Sequence, residues 1–162
     1  MRIISGKYKN RLLKSPNSSA THPMGDRERL AIFNMLGDIG GKTVLDLFAG
    51  VGSLGLEALS RGAKSATFVE NNAKTLKVLK ENLGGIENAE ILKANAYTLD
   101  KPENYDIVFI DPPYDHYPND VLEFERFLNP DGVMVISSPE PLDSTSRKYA
   151  NCYITIRGLQ YL

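Results

Sequence analysis

The chain has 162 residues, enough for one domain with a sizeable core, and it carries 42% hydrophobic and 24% charged residues with a net charge of −1. That balance is ordinary for a globular protein, and no apolar run approaches the about 18 residues that a membrane span needs. One cysteine, Cys152, and two distant histidines, His22 and His116, offer neither an internal disulfide nor a metal-ligand spacing, so no metal is expected.

The N-terminal stretch "MRIISGKYKN" lacks the apolar centre of a secretion signal, and a cytoplasmic protein is expected. "RIISGKYKNRLLK" reads as two short strands around a turn, a hairpin. Ser15–Pro23 is a polar loop. "GDRERLAIFNMLG" predicts a helix that Asp26 can cap and Gly37 can end, with Leu30, Phe33 and Leu36 inward. An α/β alternation follows. Thr43–Phe48 predicts a strand, "SLGLEALSRG" a helix stopped by Gly62, and Ala66–Glu70 a strand. "NAKTLKVLKENLG" predicts a helix with Leu76, Leu79 and Leu83 inward. "AEILKAN" and "YDIVFID" are strands, "NDVLEFERFL" a helix, and "GVMVISS" and "NCYITIR" strands. The expected fold is α/β, a doubly wound and mostly parallel sheet with helices on both faces. Residues 139–150 leave little room for a helical crossover, so the C-terminal part is expected to be shortened.

Charge is unevenly spread. Residues 1–30 hold seven Lys or Arg against two acids, a local charge of +5, which leaves −6 on the remainder. A basic arm on an acidic body suits a polyanionic partner. A solvated basic face is the alternative.

Strand Thr43–Phe48 runs into Gly50-Val51-Gly52-Ser53-Leu54-Gly55, a G-x-G-x-x-G loop that opens a helix. Such a loop lets a ligand approach the backbone beside a helix N-terminus. Glu70 ends the next strand, about 20 residues later, where a carboxylate can take ribose hydroxyls. Asp46 stands four residues before the first glycine. A carboxylate there attracts a cation and repels a pyrophosphate, which favours S-adenosylmethionine over a dinucleotide. The alternative for Asp46 is a capping or loop-bracing role. The fourth strand ends in "DPPY". Asp111 can accept a hydrogen bond from an exocyclic amine, Pro112 and Pro113 fix the backbone, and Tyr114 offers a face for stacking.

"DLFAGVGSLGLEALSRGA", "FVENN" and "FIDPPY" resemble class I S-adenosylmethionine-dependent methyltransferases that act on exocyclic or side-chain nitrogens. "RIISGKYKNRLL" and "THPMGDRERLAIFNML" narrow the resemblance to the RsmD family, which methylates N2 of a guanine in small-subunit (16S) ribosomal RNA. It covers nearly the whole chain. The resemblance implies a Rossmann-like methyltransferase domain over residues 25–162, behind an RNA-contacting extension over residues 1–24. It implies cofactor contacts from Asp46, Phe48, Gly50, Gly52 and Glu70, and adenine contacts from Asn95 and Ala96. Asp111, Pro112 and Tyr114 fall in its catalytic motif. The basic residues Arg2, Lys7, Lys9, Arg11, Lys14 and Arg27 are expected to contact RNA. The implied partner is ribosomal RNA within a small-subunit particle, met by a monomer with no membrane and no metal. His22 and Met24 depart from the family, which usually has arginine and threonine there. Rival readings are a DNA adenine-N6 methyltransferase, a glutamine-N5 protein methyltransferase, a nicotinamide oxidoreductase, and a non-catalytic cofactor-binding ribosome-assembly module.

Overall fold

Seven strands form one sheet in the computed structural model, which describes residues 1–16, 24–101, 103–118 and 120–158. They are β1 (Thr43–Asp46), β2 (Ser65–Glu70), β3 (Ala89–Lys93), β4 (Tyr105–Ile110), β5 (Leu128–Ser138), β6 (Arg147–Tyr149) and β7 (Cys152–Arg157), in the order β3-β2-β1-β4-β5-β7-β6. Strands β1 to β5 run parallel, and β7 is antiparallel to both β5 and β6. The chain order reverses between β1 and β4, and the crevice outside their carboxyl ends is where a sheet of this kind binds ligands. Strand β6 is an addition to the elements expected from sequence. It pairs with β7 at the edge of the sheet, inside the stretch too short for a helical crossover. The rest of that stretch is a turn in which the Ser146 hydroxyl accepts from Leu142 N and Asp143 N.

Among the described residues helical segments cover both faces, as expected of the doubly wound sheet, but the α-helices lie on one face and the other carries 3-10 helix. Helices α1 (Asp26–Leu36), α2 (Ser53–Ser60) and α3 (Ala73–Leu83) share one apolar cluster with Phe68, Phe109, Val133 and Ile154. The opposite face, with Leu45, Val108, Ile110 and Met134, is covered by the segment Val121–Phe127. That segment is a 3-10 helix where the sequence predicts an α-helix. Its buried residues explain why: Val121, Phe124 and Phe127 recur every three positions, the period of a 3-10 helix, while Leu122 faces outward.

Helix α3 follows its predicted stripe, with Leu76, Leu79 and Leu83 buried and the Asn72 side chain accepting from Lys74 N and Thr75 N. Helix α1 does not. Arg29, Ile32 and Phe33 are buried and Leu30 is exposed. Arg29 turns the helix, because its guanidinium is fully buried and donates to Asp26 Oδ1 (2.7 Å) and to the Arg2 carbonyl (2.7 Å). No side chain caps α1; Gly25 holds the N-cap position and Asp26 serves the Arg29 pair instead.

The first residues follow a hairpin path with one isolated bridge, Arg2 to Leu12, in place of two strands. Ile3 N donates to Arg11 O (3.0 Å) and Leu13 N to Met1 O (3.1 Å). Ile3 and Leu13 are buried in the same cluster as α1, α2 and α3. Two buried polar side chains fasten this arm to the helices. The Glu57 carboxylate accepts from Ile4 N (2.7 Å) and Ser5 N (3.1 Å) while pairing with Arg61 (2.7 Å). Asn82 accepts from Lys14 N (2.8 Å) and donates to Lys14 O (3.0 Å) and Val51 O (2.9 Å). His22 and the rest of segment 17–23 lie outside the described residues.

Asn82 thus joins the arm, α3 and the glycine loop through one side chain. Replacing it with alanine leaves Val51 O unpaired in a buried place and Lys14 N and O unpaired in a part-buried one. Asn82→Ala is expected to cost about 1–3 kcal/mol per group left without a partner or water, less where water enters. Urea melts of wild type and variant measure this; an unchanged midpoint would mean the amide bonds add nothing.

Candidate active site

The crevice at the β1–β4 reversal collects most of the residues singled out from sequence. Asp46 ends β1 and is buried, and its Oδ2 accepts from Gly55 N (3.0 Å). It therefore braces the first turn of α2 from outside the helix, which has no side-chain cap of its own. The loop between them needs its glycines. Gly52 has φ of +89°, and a Cβ there would lie 2.7 Å from Leu79 Cδ1. A Cβ on Gly55 would fall on the Phe68 ring, so α2 lies flush against β2 only without one. Gly50 differs: the nearest atom to a Cβ there is Phe48 O at 3.9 Å, so a ligand can approach its backbone.

Glu70 ends β2 and spans two loops. Its Oε2 accepts from Gly50 N (3.0 Å) and its Oε1 from Asn72 N (2.7 Å). Each oxygen keeps lone-pair capacity for a further donor. Phe48 sits half-buried beside the glycine loop, edge-on to Tyr97 (5.5 Å) and Phe124 (5.8 Å). Asn95 lies just past β3, where its Oδ1 accepts from Tyr97 N (3.0 Å) and starts a short 3-10 turn containing the buried Ala96.

Asp111–Tyr114 follow β4 across the crevice from the glycine loop. Pro112 is buried and Pro113 exposed. Tyr114 is 39% exposed, and its hydroxyl meets Ser137 Oγ at 2.6 Å. Its ring packs edge-on to Tyr117 (6.4 Å). Sequence reasoning passes over Ser137, Tyr117 and Cys152, which converge here. The signal is present in "ISSPE": the β4–β5 register pairs Ile110 with Ile136, so the next residues, Asp111 and Ser137, come side by side.

Three carboxylates meet in the crevice. Burial pushes Asp46 from the ordinary 3.8 to about 7; the Gly55 N–H opposes this, and the charges of Asp111 and Glu70 add to it. Burial likewise pushes Asp111 to about 6, opposed by the nearby Ser137 hydroxyl. Burial also raises the Tyr114 and Tyr117 phenols and the Cys152 thiol, all of which feel the Asp111 charge, so they stay protonated at neutral pH. Such a crevice gains by taking in a cation, which relieves the repulsion and returns the acids toward their ionised forms.

The six basic residues of the arm and its surroundings divide in two. Arg11 donates to Asn82 O (2.8 Å) and Gly84 O (2.7 Å), so it closes the C-terminal end of α3. Lys14 pairs with Glu81 (2.9 Å). Arg2, Lys7, Lys9 and Arg27 are exposed, with the Lys7 ammonium 5.3 Å from the centre of the Tyr8 ring.

A family model described as "Conserved hypothetical protein 95" matches residues 1–156. The chain is 42% identical over 123 residues to the ribosomal RNA small subunit methyltransferase D of Haemophilus influenzae, a match covering 70% of this chain and 64% of that one. It is 40% identical over 119 residues to the protein of that name from Escherichia coli K12, covering 70% and 60%. The matched stretch thus spans less than two thirds of either relative. Among solved structures, a hypothetical protein of Thermus thermophilus superposes with a TM-score of 0.81 at 26% identity, covering 98% of this chain and 99% of that one. The resemblance read from the motifs is therefore carried by sequence and fold together.

The raised acids set a pH dependence whose sign follows from linkage. Asp46 and Asp111 hold protons more tightly folded than unfolded, so their contribution is fully present below about pH 4. It is lost as the pH rises toward about 6 and 7. Asp46→Asn removes the larger share. Thermal melts between pH 5 and 8 are expected to fall less steeply for the variant; parallel profiles would show that Asp46 titrates normally.

Proposed function

We propose that this chain, which belongs to the conserved hypothetical protein 95 family, transfers a methyl group from S-adenosylmethionine to the exocyclic N2 amine of a guanine in small-subunit ribosomal RNA. The observation that carries this reading is the convergence, across one crevice, of a glycine loop braced by Asp46 and Glu70 with the Asp111–Tyr114 turn. The names of the relatives support the rRNA substrate.

The residues present fit the cofactor. Asp46 places a buried carboxylate where an ammonium is favoured, and Gly50 leaves its backbone open to approach. Glu70 would accept from the ribose hydroxyls, Phe48 would pack beside the adenosine, and Asn95 and Ala96 would border the adenine. When bound, the cofactor supplies a methyl group already activated by the sulfonium. The protein's task is then to position the other reactant.

Guanine N2 is a poor nucleophile because its lone pair is delocalised into the ring. Asp111 and the Pro112 carbonyl would accept its two N–H bonds. That orients the amine and favours positive charge developing on nitrogen. Positioning of this kind contributes roughly 7–11 kcal/mol at ideal geometry. Asp111, with its raised affinity for a proton, can take the proton that the amine loses. The exposed face of Tyr114 would stack on the base. A paired guanine cannot present N2 this way, so the base must be unpaired or flipped. The arm would steer the RNA through phosphate contacts, chiefly from Arg2, Lys7, Lys9 and Arg27. Residues 1–24 would act as this RNA-contacting extension and residues 25–162 as the methyltransferase domain.

Incubation with labelled S-adenosylmethionine and small subunits, naked RNA, DNA or protein, followed by nucleoside analysis, tests the reading. N2-methylguanosine from the small subunit is expected; label in DNA adenine or protein glutamine would replace it. Asp111→Ala should slow methyl transfer by about 10²-fold or more while cofactor affinity holds. Tyr114→Ala should lose roughly 1–3 kcal/mol through lost stacking. For the arm, Lys7→Ala with Lys9→Ala should lower the salt slope of RNA binding by up to about 0.7–0.9 per lost contact. Arg11→Ala should instead lower the melting temperature. Equal salt slopes for wild type and the lysine pair would return the arm to a solvated face.

A further inference from the structure

The geometry points to Ser137 as a positioning residue that holds Tyr114 and Asp111 in one hydrogen-bonded chain, so that the stacking group and the amine-holding group are set together. This inference rests on the methyltransferase reading above. Ser137 lies at the carboxyl end of β5 and is buried. Its hydroxyl oxygen is 2.6 Å from the Tyr114 hydroxyl, a short distance even for two hydroxyls. The parallel register pairs Ile110 with Ile136, so Asp111, the first residue after β4, follows beside Ser137.

A serine hydroxyl has one hydrogen to donate and two lone pairs to accept with. In the proposed chain Tyr114 donates to Ser137 Oγ, one of the two directions that the contact allows. The Ser137 hydrogen is then left to point at the neighbouring carboxylate. The direction of the Asp111 shift agrees, since the Ser137 hydroxyl holds its affinity for protons below what burial alone would set. Tyr114 hangs from a short 3-10 turn, Tyr114–His116, after two prolines, and that turn has no side-chain cap. The bond to β5 therefore restrains the ring against the sheet, beside its packing on Tyr117 and the nearby Cys152 thiol. Asp111 faces Asp46, Tyr114, Tyr117 and Cys152 as well, and the Tyr114 and Ser137 hydroxyls beside it lie within hydrogen-bond distance of each other.

In this chain the Tyr114 hydroxyl consequently matters, not only the ring. Losing Ser137 frees both the ring and the carboxylate, and losing the Tyr114 hydroxyl frees the ring alone, so the second loss adds nothing to the first.

The test uses full-length protein in four forms: wild type, Ser137→Ala, Tyr114→Phe and the double variant. Carboxyl-labelled aspartate, with Asp111 assigned through Asp111→Asn, gives its titration midpoint by NMR. Ser137→Ala is expected to move that midpoint upward by about one pH unit, the scale of one hydrogen bond to a charged group. Tyr114→Phe should move it less, and the double variant should match Ser137→Ala. Single-turnover methyl transfer on small subunits should fall about tenfold in each single variant and no further in the double, with cofactor affinity unchanged. An unmoved midpoint in Ser137→Ala overturns the inference, even where the melting temperature falls, because that is what a purely structural serine does. Multiplying rate losses overturn it too. If wild type fails to methylate the small subunit, the rRNA reading falls, while the midpoints still decide the Ser137 chain.

Discussion

A missing Cβ at Gly55 governs how this molecule is assembled. With no side chain there, α2 lies directly on the Phe68 ring, and its first turn comes close enough for Asp46 to accept the Gly55 N–H. That contact holds the glycine loop between β1 and α2, and Glu70 fastens the loop's other side through Gly50. Asn82 then ties the same loop to α3 and to the arm. One steric condition thus passes through three polar side chains to the elements on the glycine-loop side of the crevice. A larger residue at Gly55 would lift α2 and undo these bonds together, since a close-packed interior has no slack to absorb the shift.

The two faces of the sheet are built differently, and the difference serves the site. Three α-helices fill one face with leucines and phenylalanines. The other is roofed by short pieces of 3-10 helix, of three, three and seven residues. Asn95 and Tyr114 stand at the starts of two of these pieces, beside the crevice, and Phe124 is buried within the third against Phe48. Residues 139–150 form a turn and a short edge strand, secured by Asp143, whose carboxylate accepts from the Thr145 hydroxyl (2.6 Å) and from Arg157 (2.8 Å) and is thereby held well below its ordinary range, at about 2.

Strand and helix patterns are legible in the sequence wherever apolar spacing has a single cause. The leucines of α3 and the apolar runs of β1, β2 and β4 read directly, and so does the glycine loop with its two acids. Legibility fails where a polar residue holds structure out of sight. Arg29 occupies a core position of α1 by satisfying Asp26 and Arg2 O, and so turns Leu30 outward against its own hydropathy. Arg11 looks like part of a cationic patch but serves the carbonyls at the end of α3. The 3-10 segment is legible in principle, since Val121, Phe124 and Phe127 keep a period of three, yet that spacing also fits one side of an α-helix. Ser137 can be found only after pairing β4 with β5, because its role comes from register and not from a motif.

A crevice lined by Asp46, Glu70 and Asp111 poses an electrostatic problem for the proposed substrate. Carboxylates that draw in a cationic cofactor also repel a polyanion, and the protein outside residues 1–30 carries −6. Two features reduce the conflict. Burial keeps part of the acid charge protonated near neutral pH, so the crevice is less negative than its composition suggests. The net positive charge is gathered in residues 1–30, and of their cations Arg11, Lys14 and Arg29 already bind partners within the protein. The exposed remainder, Arg2, Lys7, Lys9 and Arg27, is left to meet phosphates. A bound cation would also cancel part of the negative field before the RNA arrives. On the proposed reading, cofactor binding therefore favours RNA binding, a coupling that arises from charge alone and weakens as salt screens it.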